Sequence, residues 1–166
     1  MEQLVKRMWV GTPPESAGQM IRNQIRTLRG LLGGHGEGHI ENSHGGYRFT
    51  HDIHIDTEQF MSLLRQASNF QAVGMIGEAV RAIETALGLW QGQEALPDVR
   101  DILDLEVVAV GLEERRFQAE ELIVDGYLAL GRPKDALPIL RAMTLLHPSR
   151  ELPWAQIMVA QALTGR

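Results

Sequence analysis

One predicted helix carries side chains that suit phosphates and nucleic-acid base edges. These side chains are Arg22, Asn23, Arg26 and Arg29. A guanidinium fork pairs with a phosphate or with the edge of guanine, and an asparagine amide pairs with adenine. All four residues lie off the apolar stripe of the helix, so they could equally be no more than its solvated face. The pattern alone leaves both interpretations open.

Five histidines close together raise the question of a metal site. They are His35, His39, His44, His51 and His54. His35 and His39 stand four apart, as on a helix, but the surrounding glycines disfavour a helix there. His51 and His54 would point to opposite faces of a strand. The chain has no cysteine, so a metal would depend on histidine and carboxylate alone. We therefore expect no metal and no cofactor.

No set of catalytic side chains is visible in the sequence. It holds neither a Ser-His-Asp signature nor a phosphate-binding loop that ends in Gly-Lys-Ser/Thr. The run Glu113-Glu114-Arg115-Arg116 is most simply a solvated helix face with local ion pairs. We expect that the protein is not an enzyme. An enzyme or small-molecule carrier with a pocket between helices remains a third, least favoured alternative.

Charge divides the chain into a basic front and an acidic remainder. Residues 1–50 hold six basic and four acidic groups, whereas residues 51–166 hold ten basic and seventeen acidic groups. No apolar run approaches the roughly 20 residues that span a bilayer, and the start lacks a signal-peptide core. We expect a cytoplasmic protein without membrane contact. The two parts should meet different partners.

The elements that position these side chains follow from apolar spacing and from glycine and proline. A short helix over residues 1–9 should end before Pro13, and the basic helix should run from about Ser16 to Gly33. Residues 39–41 and 47–49 are predicted strands of a Gly-rich hairpin. From Asp56 onward, the periodicity is helical.

Two later stretches share the same ladder of small and apolar residues. Gly74, Ala79 and Ala86 match Gly131, Ala136 and Met143 at identical spacing. A third copy begins at Trp154 and stops at Gly165, 34 residues after Gly131, which is the tetratricopeptide period. The ladder predicts repeated helical hairpins.

Residue size predicts how these hairpins pack. The small residues Ala67, Ala79, Ala86 and Ala136 should lie where helices cross closely. The large residues Phe70, Tyr127 and Trp154 should fill the space between neighbouring hairpins.

Several motifs in order resemble the antibiotic-regulatory transcription activators of actinobacteria. The motifs of the rear part are Leu89-Trp90-Gln91-Gly92, Leu130-Gly131-Arg132 and His147-Pro148-Ser149-Arg150-Glu151 followed by Trp154. Those of the front part are Met8-Trp9, Pro13-Pro14, Leu28-Arg29 and Gly45-Gly46-Tyr47-Arg48. The resemblance implies a mainly α fold with two domains. Residues 1–52 would form a partial winged-helix DNA-binding segment with a short β-hairpin, and residues 53–166 a tetratricopeptide-like bacterial transcriptional activator domain.

The resemblance also implies a function and a set of contacts. A winged helix lays its recognition helix in the major groove, which would turn Arg22, Asn23, Arg26 and Arg29 toward DNA, with Arg48 on the wing. The protein would activate secondary-metabolite genes. Its head would bind promoter DNA, and its helical body would support RNA polymerase contact and a homo-oligomer.

The chain also departs from the family pattern at both ends. Family members begin with a sheet and another helix, and they continue beyond the helix of Trp154. We therefore expect either a fragment of a longer regulator or a short natural protein that covers its apolar faces with another subunit. The alternative function is an interaction or oligomerisation module that does not bind DNA.

Overall fold

The chain forms two compact units. The computed structural model describes residues 2–9, 11–32, 39–44, 46–50 and 55–165. One unit, which we call the head, comprises Met1–His54 and Val99–Leu105, and the other, the body, comprises Ile55–Asp98 and Glu106–Arg166. The predicted domain limits, 1–52 and 53–166, stay a prediction, because positions 51–54 lie outside the described residues.

In its described residues, the head contains two helices and a β-hairpin. Helix α1 spans Glu2–Met8 and α2 spans Ala17–Leu32, while β1 covers Ile40–Ser43 and β2 covers Gly46–Phe49. The strands pair antiparallel, with Ile40 opposite Phe49 and Ser43 opposite Gly46. The predicted short helix, basic helix and hairpin are thus confirmed.

The apolar stripe of α2 is covered only over its first part. Ile21 is buried and Ile25 half-buried, whereas Leu28 and Leu32 are exposed. The basic side of the helix therefore lies next to an apolar strip that solvent still reaches.

The body is built from helices. Helix α3 spans Asp56–Ala72 and α4 Ile76–Leu87, followed by a single 3₁₀ turn at Pro97–Val99. The long α5 covers Leu103–Ala129, with Leu103–Leu105 assigned to the head, and it is followed by α6 at Pro133–Leu146 and α7 at Glu151–Leu163. Helix α3 packs on α4, and α6 packs on α7. The predicted mainly α fold is confirmed. None of the helices in the described ranges has both the length and the apolar character to cross a bilayer.

Glycines of the repeat ladder end three of these helices. Gly74 follows α3, Gly131 follows α5 and Gly165 follows α7, with φ angles of 77°, 67° and 75°. Glycine reaches this left-handed region without the steric cost that a side chain brings, and it commonly closes a helix there. The repeated glycines of the sequence ladder therefore mark the ends of helices.

The predicted small residues lie in the body's core, and one predicted large residue does not. Ala67, Ala79, Ala86 and Ala136 are all buried. Trp154 is 49% exposed, so the prediction that it fills a space between hairpins is wrong. The buried side of α7 is formed by Pro153, Gln156 and Ala160, and Trp154 lies outside it. Its indole Nε1 donates to the Pro148 carbonyl at 3.2 Å.

Helices α4 and α5 approach closely at Gly126. A Cβ at Gly126 would lie 2.5 Å from Cγ2 of Val80, whereas a Cβ at Gly111, on the same helix, would meet nothing within 4 Å. Val80 is buried and β-branched, so its rotamer cannot easily change. Only glycine fits at position 126 without displacing its neighbour.

We expect Gly126→Ala to lower the free energy of unfolding by about 1–3 kcal/mol through overpacking. Gly111→Ala is the matched control, since it adds the same methyl group to open space and should be neutral or stabilise by up to about 1 kcal/mol. Urea unfolding of both variants measures the difference. Equal stability of the two variants would contradict the close approach at Gly126.

A buried tyrosine pairs with a carboxylate in the same core. The Tyr127 hydroxyl donates to a carboxylate oxygen of Glu84 at 2.7 Å, and the Arg132 guanidinium lies 4.7 Å from the ring centroid. Burial, together with the hydrogen bond to Glu84, raises the pKa of Tyr127 to about 12. The folded body therefore keeps the Tyr127 hydroxyl protonated at pH values above its ordinary pKa of 10.0.

The stability of the body should depend on this proton in alkaline solution. Because the pKa is raised in the folded state, the stabilisation is complete below about pH 10 and is lost as the pH rises toward about 12. Tyr127→Phe should flatten the dependence of unfolding free energy on pH in that window. Tyr47→Phe, in the head, is the control. Urea unfolding of the body at several pH values tests this, and parallel curves for Tyr127→Phe and the parent would refute it.

Candidate nucleic-acid interface

Three of the predicted DNA-contacting residues share the exposed side of α2. Arg22, Asn23 and Arg26 are all exposed. Two of them are held by a residue that the sequence analysis missed, Gln19. Its Nε2 donates to Asn23 Oδ1 at 3.0 Å, and its Oε1 accepts from Arg22 Nε and Nη2 at 3.2 and 3.0 Å. The sequence does carry a signal for these bonds, because Gln19 stands three residues before Arg22 and four before Asn23, and residues so spaced are neighbours on a helix.

Arg26 differs from these two residues. Within the described residues, its guanidinium has no hydrogen bond or ion pair. Its five donors are therefore available to an acceptor from outside. It is the side chain of α2 best placed to contact a phosphate or a guanine edge.

Arg29 links α2 to the hairpin. Its Nε donates to the Ile40 carbonyl at 2.9 Å, and its Nη2 donates to Asn42 Oδ1 at 3.1 Å. The guanidinium also lies 5.8 Å from the centroid of the Tyr47 ring. The side chain is half-buried. Its contact with DNA stays a prediction, but these bonds give Arg29 a positioning role, because they hold the hairpin beside the basic helix.

Arg48 lies on the hairpin itself. It stands opposite Glu41 in the strand pairing, and its Nη2 donates to Glu41 Oε2 at 3.1 Å. The pair is exposed, and exposed pairs contribute only about 0–1 kcal/mol. The guanidinium can therefore exchange this carboxylate for a phosphate at little cost.

The histidine cluster yields no metal site in the part of the chain that the structure describes. Over those residues, no group of three or more histidine, aspartate and glutamate side chains could hold a metal ion. His35, His51 and His54 lie outside the described residues.

Comparison with known proteins defines the class of the chain. Residues 55–166 match the model of the bacterial transcriptional activator domain. The chain belongs to this family, and the resemblance predicted from its motifs is confirmed.

Two relatives extend the match into the head. The transcriptional regulatory protein EmbR of Mycobacterium tuberculosis is 30% identical over 170 residues, covering 100% of this chain and 44% of EmbR. The regulatory protein DnrI of Streptomyces peucetius is 31% identical over 172 residues, covering 98% of this chain and 63% of DnrI. The chain therefore spans less than two thirds of either relative.

A solved structure supports the fold as well. The structure of M. tuberculosis EmbR in complex with a low-affinity phosphopeptide matches with a TM-score of 0.85 at 30% sequence identity. The match covers 98% of this chain and 44% of that one.

Arg29→Ala should loosen the hairpin from α2, because it removes the donors to Ile40 and Asn42. We expect backbone amides of β1 and β2 to exchange with deuterium several-fold faster in this variant. Arg26→Ala removes the same charge from the same helix but no described contact, so it should leave exchange in the hairpin unchanged. Equal exchange in both variants would contradict the positioning role of Arg29.

Proposed function

We propose that this chain works as a transcriptional activator of secondary-metabolite genes, or as part of one, and that its head binds promoter DNA. The observation that carries the proposal is the exposed side of α2, where Arg26 is unpaired within the described chain and Gln19 orders Arg22 and Asn23. The family supports a role in regulation, since both relatives named above are regulatory proteins. The link to secondary metabolism rests on the resemblance alone.

The proposed contacts divide between bases and backbone. An α-helix fits the major groove, where Arg22 and Arg26 can bind guanine edges or phosphates and Asn23 can pair with adenine. Arg48 on the hairpin can exchange Glu41 for a backbone phosphate, which positions the head without adding sequence information. The acidic body would repel the duplex, so binding is confined to the head.

The body is proposed to meet protein partners. Five large apolar side chains of α7 are exposed, namely Leu152, Trp154, Met158, Val159 and Leu163. Leu152, Val159 and Leu163 recur at i, i+7 and i+11, which places them on one side of the helix, and an exposed apolar patch marks contacts with other proteins. RNA polymerase and a second copy of the chain are the proposed partners, in the cytoplasm where promoter DNA lies. We also propose that the protein is not an enzyme.

DNA binding should depend on α2 in a defined way. Sites selected from a random-sequence DNA pool provide the probe, and fluorescence anisotropy over a series of salt concentrations provides affinities and slopes. Arg26→Ala should weaken binding and reduce the salt slope by about one. Asn23→Ala should relax selectivity at one base pair, at about 1–3 kcal/mol of discrimination.

The matched control is Arg81→Ala. Arg81 is an exposed arginine of the body that pairs with Glu78 at 2.8 Å, and its removal should leave DNA affinity unchanged. If Arg26→Ala and Arg81→Ala bind DNA equally well, α2 is not the recognition helix.

The second candidate function is an interaction or oligomerisation module that does not bind DNA. One observation favours it: four of the five predicted DNA contacts, all but Arg26, are already hydrogen-bonded within the head. A stable oligomer in solution with no salt-dependent binding to any selected DNA would favour this candidate over the first.

A further inference from the structure

A cleft of about 370 Å³ lies in the body, between the loop after α4, the middle of α5 and the turn between α6 and α7. Its lining includes Val110, Phe117 and Leu146. Val110 and Leu146 are 53% and 51% exposed, so an occupant could bury apolar surface there. The volume falls in the range of roughly 300–1,000 Å³ that is usual for ligand clefts.

The loop beside the cleft is fixed to α5 by hydrogen bonds. Arg116 Nη1 donates to the Gly92 carbonyl at 2.7 Å, and the Ala95 amide donates to Glu113 Oε1 at 3.0 Å. Arg116 also pairs with Glu120 at 3.0 Å. This side of the cleft is therefore formed before any partner binds.

The turn on the opposite side is fixed to α5 in a similar way. Arg150 Nη2 donates to Glu114 Oε2 at 2.6 Å, and its guanidinium lies 4.4 Å from the Phe117 ring centroid. The His147 ring meets Phe117 edge-on, with centroids 4.8 Å apart. A preformed cleft binds with a smaller loss of conformational entropy than a flexible one.

The charges that line the cleft do not balance. Four carboxylates, from Glu94, Glu113, Glu114 and Glu120, face two guanidinium groups, from Arg116 and Arg150. The carboxylates therefore outnumber the guanidinium groups by two. The Glu94 carboxylate has no hydrogen bond or ion pair within the described chain. The cleft thus offers acceptors beside apolar surface, and its net charge disfavours phosphate-bearing ligands.

We propose that this cleft binds a short basic segment of a partner protein, with an arginine or lysine at the carboxylates and an aliphatic side chain against Val110 and Leu146. Charge complementarity selects the basic residue, and the exposed apolar side chains select its aliphatic neighbour. The site goes beyond the proposed regulator function and does not depend on it, because none of its residues lies in the head.

A defined peptide tests the site. The probe is a short peptide of alternating arginine and leucine, capped at both ends and labelled with fluorescein, titrated with the full chain by anisotropy. The parent should bind it saturably. Replacing its leucines by serine should weaken binding about tenfold, through lost apolar burial, and replacing its arginines by glutamate should abolish it.

Neighbouring leucines provide matched variants of the chain. Leu146→Lys places a positive charge, of the same sign as the peptide's arginines, inside the cleft and should weaken binding of the peptide about tenfold. Leu145→Lys adds the same charge one residue away, at a side chain that is 81% exposed and outside the cleft, and should change affinity less than about twofold. Glu94→Lys and Glu151→Lys form a second such pair, with only Glu94 in the cleft.

The outcomes distinguish binding at a structured site from general attraction between opposite charges. The proposal is overturned if both members of each pair weaken binding equally, if spermine competes as strongly as unlabelled peptide, or if the parent shows no saturable binding. DNA binding by the head is measured separately, so its failure leaves this result interpretable.

Discussion

The body depends on the close contact between α4 and α5 at Val80 and Gly126. With no side chain at Gly126, the Val80 methyl group lies directly over the backbone of α5. The same contact brings Ile83 of α4 into one apolar cluster with Ile123 and Val124 of α5. A helix is stiff, so fixing this segment also orients the preceding turns of α5, where Glu113 and Phe117 line the cleft. A packing constraint in the core therefore determines the geometry of a surface site.

A second recurring interaction in the body combines an arginine, an aromatic ring and a carboxylate. Three guanidinium groups each lie over an aromatic ring and each pair with a carboxylate: Arg116 with Trp90 and Glu120, Arg132 with Tyr127 and Asp135, and Arg150 with Phe117 and Glu114. Each of these guanidinium groups therefore has both its charge paired and an aromatic ring against it within the body. Arg26 of the head has no such partner within the described chain. The difference supports a division of roles, because the body's stacked cations stabilise structure while the Arg26 guanidinium of α2 remains available to a ligand.

Local signals in the sequence predicted the elements, and contacts between distant residues had to come from the structure. Glycine and proline mark the helix ends, so the sequence predicts the basic helix from about Ser16 to Gly33, and α2 spans Ala17–Leu32. Residue size predicts that Trp154 fills a space between hairpins, but size does not show whether another element covers that side of α7. The bond from Arg29 to the Ile40 carbonyl joins residues 11 apart in the sequence, and no periodicity predicts it.

The Gln19 network leaves hydrogen-bonding groups of Arg22 and Asn23 available for the proposed DNA contact. Arg22 uses Nε and Nη2 toward Gln19, which leaves Nη1 free to reach a phosphate. Asn23 Oδ1 accepts one hydrogen bond from Gln19, but a carbonyl oxygen has two lone pairs, and the amide donors of Asn23 are not used by Gln19. Asn23 can therefore still accept from and donate to an adenine edge while its side chain is held in place. Holding the two side chains in advance lowers the entropy lost on binding, so Gln19 would contribute to affinity without touching DNA.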